Sequence, residues 1–153
     1  MTRQKLPPND HVVRYVPWAR LRKDDNDKVI GILGDAFKLR EDEKALSATW
    51  LEYFPGERTE QVTGAVQAIR ASSLKVGSKS GFAIGKVATV KAACASRRYK
   101  IRIVHEPDDD NKAHVAVRQV PRDDPVLLEL LAEEAWAELH LNAQIPSGRA
   151  PAP

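Results

Sequence analysis

Histidine, carboxylate and arginine side chains are concentrated around one segment, IRIVHEPDDDNKAHVAV, at residues 101–117. Histidine and glutamate are common general acids and bases, and a nearby arginine can stabilise the negative charge that develops during hydrolysis. This composition suggests a small nuclease or phosphoesterase. In this hypothesis His114 is the acid or base beside Glu106, and Arg102 or Arg118 stabilises the developing charge.

The two-residue period of a β-strand decides whether the two histidines of this segment can act together. Aligning the apolar residues of both arms gives one core face, made of Ile101, Ile103, Val115 and Val117. His105 then joins the core face, whereas His114 lies on the opposite face. That opposite face also carries Arg102, Val104, Glu106, Ala116 and Arg118. The alternative register places both histidines on one face, but it also buries the charge of Arg118, which is costly. This register stays an alternative because the tip is long enough to contain a bulge.

The acidic tip of the segment is a weak candidate for a metal site. Asp108-Asp109-Asp110-Asn111 lacks the alternate spacing, the glycine and the distant glutamate of a calcium loop, and its residues are ordinary turn formers. Cys94 is the only cysteine, which excludes an internal disulfide and a multi-thiolate metal site. Its apolar helical neighbours predict a small buried side chain. The sequence therefore predicts no metal and no cofactor.

Two residue patterns resemble those of known enzyme families. The histidine pair resembles the two-histidine phosphoesterases, but the triplets His105-Glu106-Pro107 and His114-Val115-Ala116 lack the hydroxyl residue of that motif. The order Arg14, Ser47-Ala48-Thr49, Glu52 resembles ADP-ribosyltransferases, although this glutamate follows too soon, on the strand of the serine. The strings RYVP, LSATWLEYF and IRIVHEPDDDNKAHVAV resemble an uncharacterised family of small bacterial proteins. That resemblance implies a bacterial source and no particular activity.

Residues 61–105 contain no aspartate or glutamate, although the net charge of the whole chain is only +3. We call this stretch the basic zone. Such a zone attracts phosphates or an acidic surface, so it predicts a non-enzymatic binding protein that contacts nucleic acid or an acidic protein partner. The alternative is a solvated cationic face that is neutralised by the protein's own carboxylates. The predicted contact residues are Lys75, Lys79, Lys86, Lys91, Arg97, Arg98 and Lys100.

The string GSKSGFAIGK within the basic zone precedes a predicted helix, where backbone amides could hold an anion. It is not a nucleotide-binding P-loop, because its glycines are too close together and Lys86 is followed by valine. A generic anion contact through Lys79, Ser80 and Lys86 is the prediction.

Hydrophobic periodicity predicts strands and helices that alternate along the chain. Strands are predicted at residues 11–17, 29–38, 46–54 and 99–106. Helices are predicted over about fifteen residues after Pro55-Gly56, over residues 86–97, and from Asp124 to Leu139, where Asp124 caps and Pro125 takes the first position. The predicted fold is a single α+β domain with a mostly antiparallel sheet and about three packed helices.

The length of 153 residues fits one domain. We expect a flexible amino terminus at residues 1–10, the domain at residues 11–143, and a flexible proline-rich tail at residues 144–153. The sequence shows neither a signal peptide nor an apolar run that is long enough to cross a membrane. It therefore predicts a cytoplasmic protein without a membrane partner, and it leaves open whether the protein is an enzyme.

Overall fold

The computed structural model describes residues 4–146, which form one α+β domain, as predicted. The strands in this part of the chain are β1 Gln4–Lys5, β2 His11–Val16, β3 Leu21–Lys23, β4 Val29–Ile32, β5 Ala45–Trp50, β6 Gly81–Lys86, β7 Arg102–His105, β8 His114–Arg118 and β9 Glu138–Leu141. The α-helices are α1 Arg58–Ala71, α2 Val87–Ser96 and α3 Pro125–Leu130.

Seven of the strands form a single antiparallel sheet in the order β1-β7-β8-β5-β2-β6-β9. The helix α2 connects β6 to β7, which lie four positions apart in this order. Since every neighbouring pair is antiparallel, β6 and β7 run in the same direction. Strands β3 and β4 form a separate two-stranded sheet.

Apolar side chains pack on both faces of the large sheet. On the first face, α1 is buried against Val13, Phe82 and Ile84 through the apolar residues Val62, Ala65, Val66 and Ile69, which recur at helical spacing; we call this the α1 face. The helices α2 and α3 and the small β3–β4 sheet belong to the larger cluster on the opposite face. Cys94 of α2 is buried in that larger cluster, as the sequence predicts.

The register of the β7–β8 hairpin is the first of the two predicted from the sequence. Ile103 pairs with Val117, and His105 pairs with Val115, so His105 lies on the core face. Arg102 pairs with Arg118 on the α1 face. The two histidines therefore lie on opposite faces of the sheet, and the alternative register is wrong.

The predicted carboxy-terminal helix ends earlier than expected. Asp124 caps α3 by accepting the Leu127 amide at 3.1 Å, as predicted. However, α3 passes into a π-helical turn at Leu131–Ala135, and residues 138–141 are strand β9 rather than helix. The alternation of Glu138 and His140 with leucines suits a strand as well, and β9 covers the edge of β6, whose backbone groups need partners.

The predicted anion loop in GSKSGFAIGK is also wrong, because its second half is strand β6, which is buried from Gly81 to Gly85. Its glycines serve packing: a Cβ on Gly85 would lie 2.9 Å from the Ala135 carbonyl oxygen and 3.0 Å from the Trp136 ring. Ser80 is buried, and its hydroxyl donates to the Gly77 carbonyl. Lys79 and Lys86 stand at opposite ends of β6, so they cannot hold one anion together.

Three further boundaries differ from the prediction. The strand predicted at residues 29–38 ends at Ile32, and a 3₁₀ turn follows at Gly34–Phe37. The strand predicted at residues 46–54 ends at Trp50 and continues as a 3₁₀ turn, Leu51–Tyr53. At the amino terminus, β1 pairs with β7 and Leu6 is buried, so residues 4–6 belong to the fold.

The carboxy-terminal boundary also differs from the predicted tail at residues 144–153. Ile145 is buried in the cluster beneath α1. The Arg70 guanidinium donates to its carbonyl oxygen and to that of Pro146. Residues 144–146 therefore belong to the domain, and the rest of the predicted tail lies outside the described residues.

Candidate active site

The large sheet opens between its central strand, β5, and the neighbouring strand β2. These strands pair only at Val12–Trp50 and Val13–Thr49, whereas β2 pairs with β6 along six residues. Beyond Val13, Arg14 bridges the gap: its guanidinium donates to the Ala36 carbonyl at 2.8 Å and to the Ser47 carbonyl at 2.7 Å. The gap leaves Tyr15 and Ser47 on the walls of an opening in the middle of the sheet.

His114 faces this opening with a defined orientation. Its Nδ1 atom lies 2.9 Å from the Glu106 carbonyl oxygen, and its Nε2 atom lies 3.2 Å from the Ser47 hydroxyl oxygen. A carbonyl oxygen can only accept, so in the neutral ring Nδ1 carries the proton and the lone pair of Nε2 accepts the Ser47 hydroxyl proton. A hydroxyl and an oriented basic nitrogen therefore meet at the surface of the opening.

The fold brings these two residues together through strand register. Thr49 pairs with His114 and Ser47 pairs with Ala116 across β5 and β8, so Ser47 and His114 are diagonal neighbours on the α1 face. Diagonal neighbours on antiparallel strands are within reach of long side chains. A carboxylate oxygen of Asp108 lies 3.9 Å from Nδ1 and adds negative charge beside the ring.

His114 and Ser47 line a cavity of about 230 Å³ on the α1 face. One part of its wall is apolar and includes Val13, Ile69 and Leu74. The other part offers hydrogen-bonding groups from β5 and from the hairpin tip, namely Ser47, Thr49, Asp108, Asp110 and Asn111. The tip is held in place because the Asn111 amide donates to the Thr49 hydroxyl at 3.0 Å and Asp110 accepts the Ser73 amide at 2.8 Å.

A larger open cleft of about 990 Å³ adjoins this cavity, and Tyr15, Ser47 and Leu74 line both. Its lining contains more cationic than acidic side chains. The cations are Arg14, Arg20, Lys38, Arg40, Lys75 and Arg122, and the carboxylates are Asp35, Glu41, Glu43 and Asp123. The Arg122 guanidinium donates to the carbonyls of Arg40 and Glu43, which fixes the wall of the cleft.

Arg14 stands at the base of the cleft in a poorly solvated position. Burial lowers the pKa of its guanidinium to about 10, and the nearby Glu43 carboxylate partly offsets this change. The group remains protonated at neutral pH, because this pKa is well above 7. It therefore supplies a positive charge on the cleft side of Ser47.

The four residues of the predicted catalytic group share one face, but they do not form a single cluster of contacts. Glu106 makes a two-pronged ion pair with Arg118, at 2.5 and 2.7 Å, and this pairing raises the pKa of Arg118. His114 contacts the backbone of Glu106 rather than its carboxylate. Arg102 is exposed beside Arg118, and neither arginine lines the cavity or the cleft.

The seven predicted contact residues of the basic zone are all exposed, but they do not form one patch. Lys75 and Lys79 precede β6, whereas Lys86 ends it, and a strand of six residues spans roughly 17 Å. Lys91 lies on α2, which runs back, so Arg97, Arg98 and Lys100 return to the end of the sheet where β6 begins. Only Lys75 of the seven lines the cleft.

Of the residues that resemble the ADP-ribosyltransferase pattern, the fold brings Arg14 and Ser47 together but leaves Glu52 apart. Arg14 contacts the carbonyl oxygen of Ser47 at 2.7 Å. Glu52 lies beyond the other end of β5, where its carboxylate binds the His11 amide at 2.7 Å and the His11 ring at 2.6 Å. The Glu52 carboxylate is therefore occupied away from the opening.

Sequence reasoning missed Ser47 and Thr49 as partners of His114. Their alternation with Leu46 and Ala48 already places them together on one face of a strand. That signal was present in the string LSATW. The pairing of β5 with β8 could not be predicted from the sequence, because it joins segments almost 70 residues apart and no local pattern specifies it.

The fold and site define a small α+β protein with a histidine–serine pair at an opening in its sheet. No protein-family model, no curated protein and no solved structure matches the chain. The resemblance to a family of small bacterial proteins stays a prediction. Within residues 4–146, none of the helices combines the length and the apolar composition that crossing a bilayer requires.

Proposed function

We propose that this protein is a phosphoester hydrolase in which His114 is the general acid and base and Ser47 is the nucleophile. The orientation of His114 carries this proposal. The Glu106 carbonyl holds the proton on Nδ1, so Nε2 faces the Ser47 hydroxyl at 3.2 Å inside a cavity that opens into a cation-rich cleft. A nucleophile, an oriented base and nearby positive charge are the parts that phosphoester hydrolysis needs.

The chemistry proceeds in two steps with His114 in both. The Ser47 oxygen attacks phosphorus, its proton passes to Nε2 of His114, and the ester oxygen–phosphorus bond breaks. The imidazolium then gives its proton to the leaving alcohol. Water next attacks phosphorus and gives a proton to His114, the bond between the serine oxygen and phosphorus breaks, and the serine oxygen takes that proton back. A monoester substrate therefore yields inorganic phosphate, and a diester substrate yields a monoester.

Positive charge for this reaction comes from the cleft rather than from Arg102 and Arg118. Arg14 touches the backbone of Ser47, and Lys75 lines the same opening. Fixed cations stabilise the charge that builds on phosphoryl oxygens in the transition state. Arg118 is neutralised by Glu106, so it holds in place the residue after β7 whose carbonyl contacts His114.

The experiment measures hydrolysis of p-nitrophenyl phosphate and bis(p-nitrophenyl) phosphate by the purified full chain. Replacing His114→Ala or Ser47→Ala is expected to lower kcat by roughly 100-fold or more, the usual contribution of acid–base and nucleophilic groups. The matched control is His140→Ala, because His140 is a partly exposed histidine that lines neither the cavity nor the cleft. Full activity in His114→Ala, or no turnover of either ester by the wild type, would contradict the proposal.

The basic zone supports a second candidate function, contact with nucleic acid or an acidic protein partner. Among residues 4–146, Arg97 is the only one of the seven predicted contact residues that forms an ion pair, with Asp124 at 3.1 Å. The other six cations are exposed and form no ion pair within the described residues, which supports contact with phosphates or carboxylates. Because the residues lie at both ends of the sheet, a partner would contact one subset of them at a time.

The salt dependence of oligonucleotide binding distinguishes this second candidate function from a cationic surface that is only solvated and binds no partner. Each phosphate contact releases counterions, so binding to a fluorescent single- or double-stranded oligonucleotide should weaken steeply as salt rises. The double variant Arg98→Ala, Lys100→Ala should reduce the salt slope by about 2, one unit for each lost contact. An absence of salt-sensitive binding to DNA and RNA would leave only the acidic protein as a partner of the basic zone.

A further inference from the structure

We infer that the cavity and the cleft together bind a nucleoside phosphate, with the nucleoside in the cavity and the phosphate in the cleft. This ligand is the substrate class of the hydrolase proposed above, so the inference rests on that function. Its evidence is the division of one continuous opening into two chemically different halves, which meet at Ser47.

The size of each half indicates a ligand with two parts. The cavity of about 230 Å³ is smaller than the roughly 300 Å³ at which small-molecule pockets usually begin, so it holds a fragment rather than a whole ligand. The cleft of about 990 Å³ reaches the upper end of the usual range and has room for phosphate groups. A ligand that fills both must pass Tyr15, Ser47 and Leu74, which line both halves.

Charge sets the direction in which the ligand lies. The carboxylates of Asp108 and Asp110 line the cavity and would repel a phosphate placed there. Lys75, Arg20 and Arg40 line the cleft, where a phosphate gains charge-assisted hydrogen bonds. The neutral part of the ligand therefore enters the cavity, and the anionic part stays in the cleft.

The cavity has the chemistry that a base and a ribose need. The apolar side chains of Val13, Ile69 and Leu74 and the ring of Tyr15 offer a surface for a flat ring. Asp110 accepts three hydrogen bonds from Ser73, and its Oδ1 atom keeps a spare lone pair for a ring amino group or a ribose hydroxyl. The Thr49 hydroxyl accepts from Asn111 and can still donate.

The meeting point of the two halves specifies the bond that is cleaved. The Ser47 hydroxyl lies where the cavity joins the cleft, with Nε2 of His114 at 3.2 Å. In a nucleoside phosphate that spans the opening, the ester bond between ribose and phosphate lies at this junction. Attack by Ser47 on phosphorus breaks that oxygen–phosphorus bond, and the ribose oxygen takes the proton from His114.

Calorimetry on the full-length Ser47→Ala variant tests the inference without turnover. The ligands are AMP, GMP, CMP and UMP, their free nucleosides, and inorganic phosphate. At least one nucleotide is expected to bind about tenfold or more tightly than both its nucleoside and phosphate, since the two halves contribute together. If no nucleotide binds more tightly than its separate parts, the inference is overturned.

Two lysine variants test whether the phosphate of the nucleotide binds in the cleft. Lys75→Ala should weaken nucleotide binding roughly three- to tenfold and leave nucleoside binding unchanged, because it removes one cleft cation. Lys28→Ala is the matched control, an exposed lysine between β3 and β4 that lies outside the basic zone and lines neither half, and it should change neither affinity. Equal effects of both lysine variants would show that general charge, and not the cleft, attracts the nucleotide.

The outcomes distinguish the substrate class from the activity. Hydrolysis of the p-nitrophenyl esters without preferential nucleotide binding would overturn the substrate class and keep the hydrolase. Nucleotide binding with fully active His114→Ala would keep the ligand and overturn the proposed chemistry.

Discussion

The Nε2 atom of His114 lies 3.2 Å from the hydroxyl oxygen of Ser47, although the two residues are 67 positions apart in the chain. The contact follows from the pairing of β5 with β8 and from the Glu106 carbonyl that holds the other side of the ring. The hydroxyl is on the surface of the opening, so the pair is accessible to a ligand rather than part of the core.

Accessibility predicts that Ser47 contributes little to stability. Ser47→Ala should change the free energy of unfolding by no more than about 0.5 kcal/mol, as is usual for exposed positions. Thr49→Val is the contrasting variant on the same strand face, because Thr49 is buried and accepts the Asn111 amide. Leaving that amide unpaired should cost about 1–3 kcal/mol in urea unfolding. A large loss of stability in Ser47→Ala would mean that the serine is structural.

The pH dependence of stability should contain a contribution from the Arg97–Asp124 pair. The Arg97 guanidinium lowers the pKa of the Asp124 carboxyl, which also accepts the Leu127 amide. Because the folded-state pKa is depressed, the stabilisation is present above the pKa of the unfolded chain and is lost as pH falls through the folded-state value.

Asp124→Asn separates this charge effect from helix capping, since asparagine is also a good cap. The melting temperature of the variant should be lower than that of the wild type at about pH 7, and the gap should close well below the usual aspartate pKa of about 3.9. A gap of the same size in acid would show that the ion pair is not its cause.

Cys94 should react slowly in the folded protein. It is 1% exposed, and burial raises the pKa of its thiol to about 11. At about pH 8 the thiolate is therefore scarce, and iodoacetamide should label the native chain about 100-fold more slowly than the chain unfolded in urea. Mass spectrometry measures the labelling rate of each form. Similar rates for the native and the unfolded chain would contradict the buried position of Cys94 on α2.

Removal of residues 125–153 should abolish cooperative folding. This deletion takes away α3, the buried Trp136 and the strand β9 that covers β6. Several buried apolar side chains at about 1.5–3 kcal/mol each are comparable with the whole stability of a domain, about 5–15 kcal/mol. Deletion of residues 147–153 alone is the control and should leave the melt unchanged. A soluble protein with a cooperative melt after the longer deletion would refute this role.

Local patterns predicted the parts of the fold that depend on neighbours in sequence. The alternation of Ile101 and Ile103 set the faces of the hairpin, and the 3.6-residue period of α1 set its buried stripe. Strand β9 was mistaken for helix because Leu139 continues the helical spacing of α3 and also alternates with Glu138 and His140. Only the unpaired edge of β6, which is not visible in the sequence, decides between them.

The candidate site was predictable only in part for the same reason. His114 and its face follow from strand alternation. The opening between β2 and β5 does not, because it depends on where Arg14 bridges two distant strands. The residues that line the cavity come from β2, β5, β8, α1, the loop after α1 and the hairpin tip, and no motif joins these segments.

A double-mutant cycle on hydrolysis of bis(p-nitrophenyl) phosphate tests the central claim most directly. It compares the kcat of the wild type, Ser47→Ala, His114→Ala and the double variant. If the two residues act as one unit, the double variant should be no slower than the slower single variant, because each single change already disables the pair. Multiplied losses in the double variant, or single variants as active as the wild type, would contradict the account.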